Sequence, residues 1–509
     1  MSRTTHTLDS STVVPRAGVR EWFALAVLML PVLLVSVDNT VLNFALPQIS
    51  ETLRPSGTGL LWIVDIYPLV LAGLLVSMGS LGDRIGRRKL LLIGSVGFAG
   101  VSIFAAFAPS AEALIGARAA LGFFGAMLMP STLSLLRSIF LDRDQRRLAI
   151  AVWASGFAAG SALGPIVGGL LLQNLWWGSV FLLAVPVLIP LVILAPLLVP
   201  ESKDPNPGRI DVLSILLSLF TMLPIVFGIK SIAEKGADLL GIVAIVVGVV
   251  AGFLFVRRQR RVETPMLDMT LFTRGSFSGA VGVNLLSVTA FVGGLFFVTQ
   301  HLQLVLGLAP LEAGLTLLPG LVAMIIAGLV IVPIAKRVRP SIVIPVALAI
   351  SAAGYSAVAL SGGNIQAAGL AFAFIALGVG IGAAETVSNE LIIASAPVEK
   401  AGAASAVSET AYELGAVLGT AILGTILTAS YRANVVLPSG LSEAQRMAAG
   451  ETLGGAVSVA GQVPADAAAA LLDSARHAFD SGVGVAAWIG VALIVAAGVV
   501  AATSLRRVR

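Results

Sequence analysis

Fourteen apolar runs, each long enough to cross a bilayer, follow one another along this chain. A membrane helix needs about 20 apolar residues to span about 30 Å of hydrocarbon. In that layer every backbone N–H and C=O must be satisfied within the protein, which leaves only helices and closed barrels. Barrel strands are alternating segments of about 10 residues. The runs here are longer and do not alternate, so the expected fold is an all-α polytopic membrane protein. The predicted spans are 22–46, 59–80, 89–108, 112–136, 147–172, 178–199, 211–230, 239–256, 276–299, 312–335, 341–361, 366–391, 402–428 and 484–505. Composition agrees: 12% of the 509 residues are charged, against about 25% in a soluble domain.

Loop charge alternates with the spans. One side holds 25 of the 32 Lys and Arg; the other holds Arg54, Lys230, Lys235, Arg432, Arg446 and Arg476, and Arg118 falls within a span. The positive-inside rule assigns the rich side and both termini to the cytoplasm. The expectation is a multi-pass protein of the cell (plasma or inner) membrane, in contact with the lipid bilayer. The expected divisions are a cytoplasmic tail (1–21), a six-helix bundle (22–200), inserted helices 7 and 8 with a cytoplasmic linker (201–275), a second six-helix bundle (276–505) and a tail (506–509). Helices 7 and 8 read as free of intramembrane charge. Residues 429–483 read as a solvated external loop, with a short surface helix from Pro464 to Ala478. A repeat at an offset of 255 lays Gly160 and Gly164 of span 5 on Gly415 and Gly419 of span 13, both small-residue packing faces.

Several chemistries are excluded. There is no cysteine, and His6, His301 and His477 lie far apart. No HExxH, GxSxG or GxxxxGK[ST] pattern occurs, so neither a metal centre nor a nucleophile nor a phosphate loop is indicated. The chain is not expected to be an enzyme or to carry a cofactor. Its net charge of +5 follows the membrane rather than a nucleic-acid surface, and no obligate protein partner is inferred. The first 20 residues are polar and lack the apolar region of a signal peptide.

Against this background, acids inside spans stand out, because each costs roughly 2.5–3.5 kcal/mol to insert and marks a functional position by default. At 1.5 Å per residue, Asp38 lies about 13 Å below the outer end of span 1, with Asp65 and Arg118 each about 9 Å down spans 2 and 4. Two acids and one base are thus expected in one layer, where desolvation and a nearby guanidinium oppose each other and can poise a carboxyl group for proton exchange. Glu409 and Glu413 are four apart and share one face of span 13. Two such carboxylates cannot both ionise cheaply, which suits exchange of a proton for a cation. Glu385 lies toward the cytoplasmic end of span 12. Trp62, Tyr67, Phe123, Met127 and Tyr412 offer π-faces or soft contacts to an organic cation.

Four motifs resemble one family. Gly79-Ser-Leu-Gly-Asp83-Arg84-Ile-Gly-Arg87-Arg88-Lys89 is similar to the loop-2/3 signature of the major facilitator superfamily. Arg118, in Leu114-Ile-Gly-Ala-Arg-Ala-Ala-Leu-Gly122, resembles its span-4 basic motif. The stretch holding Gly156, Gly160, Gly164, Pro165, Gly168 and Gly169 resembles the span-5 antiporter motif, and Asp38 to Pro47 the span-1 motif of fourteen-helix drug:proton antiporters. Trp62 to Tyr67 and Ser408 to Glu413 also resemble efflux pumps for quaternary ammonium compounds and dyes.

The resemblance implies two six-helix halves plus two inserted helices, and export of lipophilic cations, dyes and drugs driven by protons alone. Asp38, Asp65, Glu409, Glu413 and Arg118 would carry coupling and cation binding. Asp83, Arg84, Arg87 and Arg88 would form a cytoplasmic latch between the halves. The alternative is a proton-coupled symporter, or an exporter of another small organic metabolite, on the same fold. Span 10 has no acid beyond Glu312 at its outer end, which departs from family members whose span-10 Asp is linked to divalent cations.

Overall fold

The computed structural model describes residues 16–203, 211–235, 238–262, 265, 267, 269–335, 337–361, 365–395 and 401–506. Most of the N-terminal tail, linker residues 204–210, Lys336, Lys400 and the last three residues lie outside them. Every regular element among the described residues is helical: α1 (Val19–Leu53), α2 (Gly57–Ile85), α3 (Arg87–Ala106), α4 (Ala111–Ile139), α5 (Arg143–Asn174), α6 (Ser179–Leu182), α7 (Ala184–Leu198), α8 (Val212–Lys235), α9 (Leu239–Gln259), α10 (Gly275–Gln300), α11 (Pro310–Ala335), α12 (Pro340–Leu360), α13 (Ala367–Ala394), α14 (Ala401–Gly419), α15 (Thr425–Asn434), α16 (Glu443–Glu451), α17 (Leu453–Ala460) and α18 (Ala465–Ser504). Thirteen helical stretches among them are long and apolar enough to cross a membrane. The helix at the position of the expected fifth span, α5, is not one of the thirteen; its 32 residues pack along α1 and against α11. Two spans contain π-helical turns, His301–Val305 after α10 and Thr420–Gly424 between α14 and α15.

The packing repeats. In the first half α1 lies on α5 and α7, α3 on α4 and α7, and α2 on α4. In the second, α10 lies on α14 and α18, α12 on α13 and α18, and α11 on α13. These are the same pairs eight spans later. The halves meet through α5 with α11, α2 with α14, and α1 with α10. The repeated glycines share this logic. Gly160 and Gly164 face α1, and a Cβ at Gly164 would overlap the Thr40 hydroxyl; Gly415 and Gly419 face α10. Small residues let the backbones of each pair approach closely.

The hairpin α8–α9 packs through α8 on α2 and on the π-helical turn and α15. At its base Asp211 caps α8 by accepting from the Ser214 N–H (3.1 Å) and pairs with Arg258 of α9 (2.8 Å). The hydrogen bond from Arg258 holds the Asp211 carboxyl down at about 2.

Residues 429–483 differ from the expected solvated loop. The final helix begins at Ala465 and runs unbroken for 40 residues, about 60 Å and twice the hydrocarbon thickness. With α15, α16 and α17 it builds a folded cap at the end of the bundle opposite the start of α1 and the end of α18. The Tyr431 hydroxyl donates to the Ala449 carbonyl (2.7 Å), and Arg432 pairs with Glu451. His301 and Asp480 lie 2.9 Å apart beneath it. The cap also reaches the first half: Ser50 bonds Thr452 (3.0 Å), and the Gly57 N–H donates to Glu451 (3.1 Å).

Candidate functional site

Arg118 is the hub of the first half. It is 1% exposed. One guanidinium nitrogen donates to Asp38 Oδ2 (2.6 Å), Nε donates to the Ile63 carbonyl (3.1 Å), and the group lies 4.4 Å from the centroid of the Tyr67 ring. One side chain thus ties α1, α2 and α4 together. The approach is permitted one turn on, at Gly122, where a Cβ would lie 2.6 Å from the Tyr67 carbonyl oxygen. A charge pair this deep repays its desolvation only with close geometry and further hydrogen bonds, and Arg118 has both.

Asp65 does not join that pair. It faces α8, where Lys230 Nζ sits 2.8 Å from its Oδ2. Lys230 was expected in a loop; it is instead fully buried, and its ammonium lies 4.2 Å from the centroid of the Trp62 ring. The inserted hairpin therefore does carry an intramembrane charge. The reason is helix length: α8 runs to Lys235, so Lys230 is more than one turn inside it. Placed there without a counter-charge it would be prohibitively costly, and Asp65 supplies one.

The second half contributes carboxylates of a different kind. Glu413 is 8% exposed, and its carboxylate feels the charges of Glu409, Arg118 and Asp38. Asp38, Arg118, Glu409 and Glu413 thus belong to one electrostatic cluster between the halves. Tyr412 feels both Glu385 and Glu413, which brings α13 into the same region. Among the described residues none of Glu385, Glu409 and Glu413 forms a salt bridge, and Glu413 Oε2 is buried without a hydrogen bond. The π-helical turn begins seven residues after Glu413; such turns recur at functional sites and leave no mark in the sequence.

Span 5 serves the cluster from behind. Gly156, Gly160, Gly164 and Gly168 form a ridge against α1 from Met29 to Val41, the stretch that presents Asp38. Pro165 and Gly169 face the other half, against Gly314 and Leu311 of α11. The remaining aromatic and Met candidates are dispersed. Met127 is buried against Gly94 of α3, and Phe123 is 41% exposed beside Phe124. An apolar groove of about 520 Å³ between α11, α12 and α13 has no charged residue among the described residues of its lining.

Among the described residues, the turn between α2 and α3 makes its side-chain hydrogen bonds and ion pairs within its own half. Asp83 pairs with Arg87 (2.7 Å), and Arg87 also donates to Ser202 (3.1 Å). Arg84 is exposed. Gly86 takes a φ of +112°, open to glycine but strained for other residues. Glu201, which the sequence did not single out, accepts from the N–H groups of Arg88 (3.0 Å) and Lys89 (3.2 Å). A carboxylate at a helix N-terminus satisfies orphan donors and meets the positive end of the dipole. A polar cluster also went unread: Asn284 on α10 donates to Asn389 (3.0 Å) and Ser408 (3.3 Å).

The sequence profile described as the Major Facilitator Superfamily matches residues 28–420. The chain is 57% identical over 500 residues to the multidrug efflux pump LfrA of Mycolicibacterium smegmatis, covering 98% of this chain and 99% of that one. It is 37% identical to the methyl viologen resistance protein SmvA of Salmonella typhimurium, over 90% and 93% of the two chains. The fold resembles a crystal structure of a bacterial homologue of the human lysosomal transporter Spinster in an inward-facing, unoccupied conformation, with a TM-score of 0.62 at 16% identity, over 97% of this chain and 100% of that one. By its helical repeat and by these matches, the chain belongs to the major facilitator superfamily, a family of membrane transporters.

Proposed function

We infer that the protein is a proton-coupled antiporter that exports lipophilic organic cations, among them drugs, dyes and quaternary ammonium compounds. The observation that carries this reading is the cluster between the halves: among the described residues Glu385, Glu409 and Glu413 form no salt bridge, and Glu413 lies within electrostatic reach of Glu409 and of the Asp38–Arg118 pair. Carboxylates of this kind bind a proton or a cation in turn. The efflux and resistance functions of the relatives support the same reading.

In this scheme both termini are cytoplasmic, as loop charge suggests, and the cap is external. A cation enters from the cytoplasm or inner leaflet and is held by the ionised glutamates, with Tyr412 offering a π-face. The halves rock about the α5–α11 and α2–α14 contacts. Protonation from outside weakens the hold, and deprotonation inside resets the site. Each ligand shifts the equilibrium only by its difference in affinity for the two states. The α2–α3 turn, with Asp83, Arg84, Arg87 and Arg88, latches the cytoplasmic side when it shuts.

The test is accumulation of a cationic dye in cells with and without the protein, before and after collapse of the proton gradient. Lower accumulation that disappears with the gradient is expected. Efflux that persists after collapse would reject proton coupling, and equal accumulation with and without the protein would reject cation export.

A further inference from the structure

A carboxylate beside the face of an aromatic ring is an arrangement that receives an organic ammonium. This molecule has one at Asp65 and Trp62, and it is filled by the chain itself. Lys230 Nζ lies 2.8 Å from Asp65 and 4.2 Å from the centroid of Trp62. Asp65 and Lys230 are both fully buried. Leu69 of α2, Val226 of α8, and Val417 and Ala421 of span 13 pack together around this interface. The ammonium arrives on an inserted hairpin, outside both repeated halves, so the core fold does not require it.

The charges then sort by partner. Asp38 is held by Arg118 and Asp65 by Lys230. Glu385, Glu409 and Glu413 form no salt bridge among the described residues. Val417, packed beside the Asp65 pair, is one helical turn beyond Glu413. Resting on the reading of the cluster as a cation site, we propose that Lys230 is a built-in cation that withholds Asp65 from the transported ligand and so sets the valence the pump prefers. Without the Lys230 charge, Asp65 is a buried carboxylate with no counter-ion beside an aromatic face, packed against the part of span 13 that begins one turn beyond Glu413. A ligand carrying two positive charges can then satisfy both places. With Lys230 present, the second positive charge meets an ammonium already in position.

The experiment measures equilibrium binding of a matched pair of dyes, an N-alkylpyridinium and its bis-pyridinium analogue, to the purified full chain in detergent. Wild type, Lys230→Gln, Lys230→Arg and the double variant Asp65→Asn with Lys230→Gln are compared. In Lys230→Gln the ratio of dication to monocation affinity should rise about tenfold, the scale of one nearby charge in a protein interior. Lys230→Arg and the double variant should keep the wild-type ratio. A ratio unchanged in Lys230→Gln that still binds the monocation overturns the proposal, as does an equal rise in the double variant. If the Gln variant does not fold, Lys230→His gives the same reading. Its imidazole is charged at about pH 5.5 and neutral at about pH 8, so the ratio should rise between them by about tenfold more than in wild type, and an equal rise in both overturns the proposal. Failure of wild type to bind either dye overturns the transport reading, and this inference with it.

Discussion

Asp38 on α1 and Glu413 on α14 belong to one cluster, in which Glu413 feels the charge of Asp38, yet they are held differently. Asp38 accepts a 2.6 Å bond from a buried guanidinium. Glu413 has one buried oxygen with no hydrogen bond, and Glu409 is its neighbour on the same helix face. The same contrast divides the halves: Asp38 and Asp65 each have a basic partner, and the acids of α13 and α14 form no salt bridge among the described residues. A paired carboxylate is costly to neutralise because its partner is stranded. One without a counter-ion is costly to ionise. In the proposed antiport scheme this difference divides the tasks: the first half positions, and the second exchanges.

The sharpest way to break this comparison is to neutralise the pair one side at a time. Asp38→Asn strands Arg118, and breaking a buried pair costs about 3–5 kcal/mol. The variant should unfold at a clearly lower temperature in detergent and should export no dye. Adding Arg118→Gln should restore most of the stability without restoring export. If Asp38→Asn alone keeps wild-type stability, Glu413 has taken over the guanidinium, and the separation of tasks fails.

Glu413→Gln gives the opposite pattern. No basic partner is stranded, so thermal stability should be unchanged or slightly higher while export drops. Replacing both Glu409 and Glu413 should weaken a cationic dye by roughly 1–3 kcal/mol, the scale of a charge-assisted contact, and leave neutral ligands bound. Binding should also release fewer protons, measured by calorimetry in buffers of different ionisation enthalpy. Two carboxyl groups four residues apart on one helix face are expected to interact, so each single variant should alter the release. Unchanged proton release in all variants would make the span-13 acids structural.

Gly164→Ala tests whether positioning of Asp38 depends on helix contact. The added methyl meets Thr40, two residues from Asp38. Overpacking of this kind costs about 1–3 kcal/mol, expected here toward the lower end because only one methyl is added. Export should fall more than cation affinity. Equal loss of both would mean that α5 shapes the binding site itself.

How much of this was legible in the sequence depends on range. Asp38 and Arg118 were readable because each is a lone charge in an apolar run, and their depths matched. Asp65 was readable as an acid but not as the partner of Lys230. That lysine is followed by Ser-Ile-Ala-Glu-Lys, which reads as a helix end reaching water, and one misplaced lysine barely disturbs a tally of 25 against 6. The Ala-rich start of α18 was seen as helical, but not as continuous with the last span, since Arg476 and His477 interrupt its apolar character. Glu201 was invisible because the helix end it caps lies more than a hundred residues away in the chain.

That cap supplies the smallest effect and the control for the others. Glu201 and the Asp83–Arg87 pair are part-exposed ion-pairing groups, with side chains 24–34% exposed. Water and salt already screen them, so the stranding penalty that governs Asp38 should nearly vanish. Asp83→Asn should cost about 0.2–1 kcal/mol, the range of surface pairs, and Glu201→Gln about 0.3–1 kcal/mol, the worth of a charge at a helix end. Both losses should shrink as salt rises, whereas the Asp38→Asn loss should not. Dye affinity should stay at the wild-type value in both variants while the transport rate falls, because the turn lies at the end of α2, away from the glutamates. A loss of affinity as large as the loss of rate would place the turn in the binding site. A salt-independent loss of several kcal/mol would show that exposure does not separate these pairs from the buried ones.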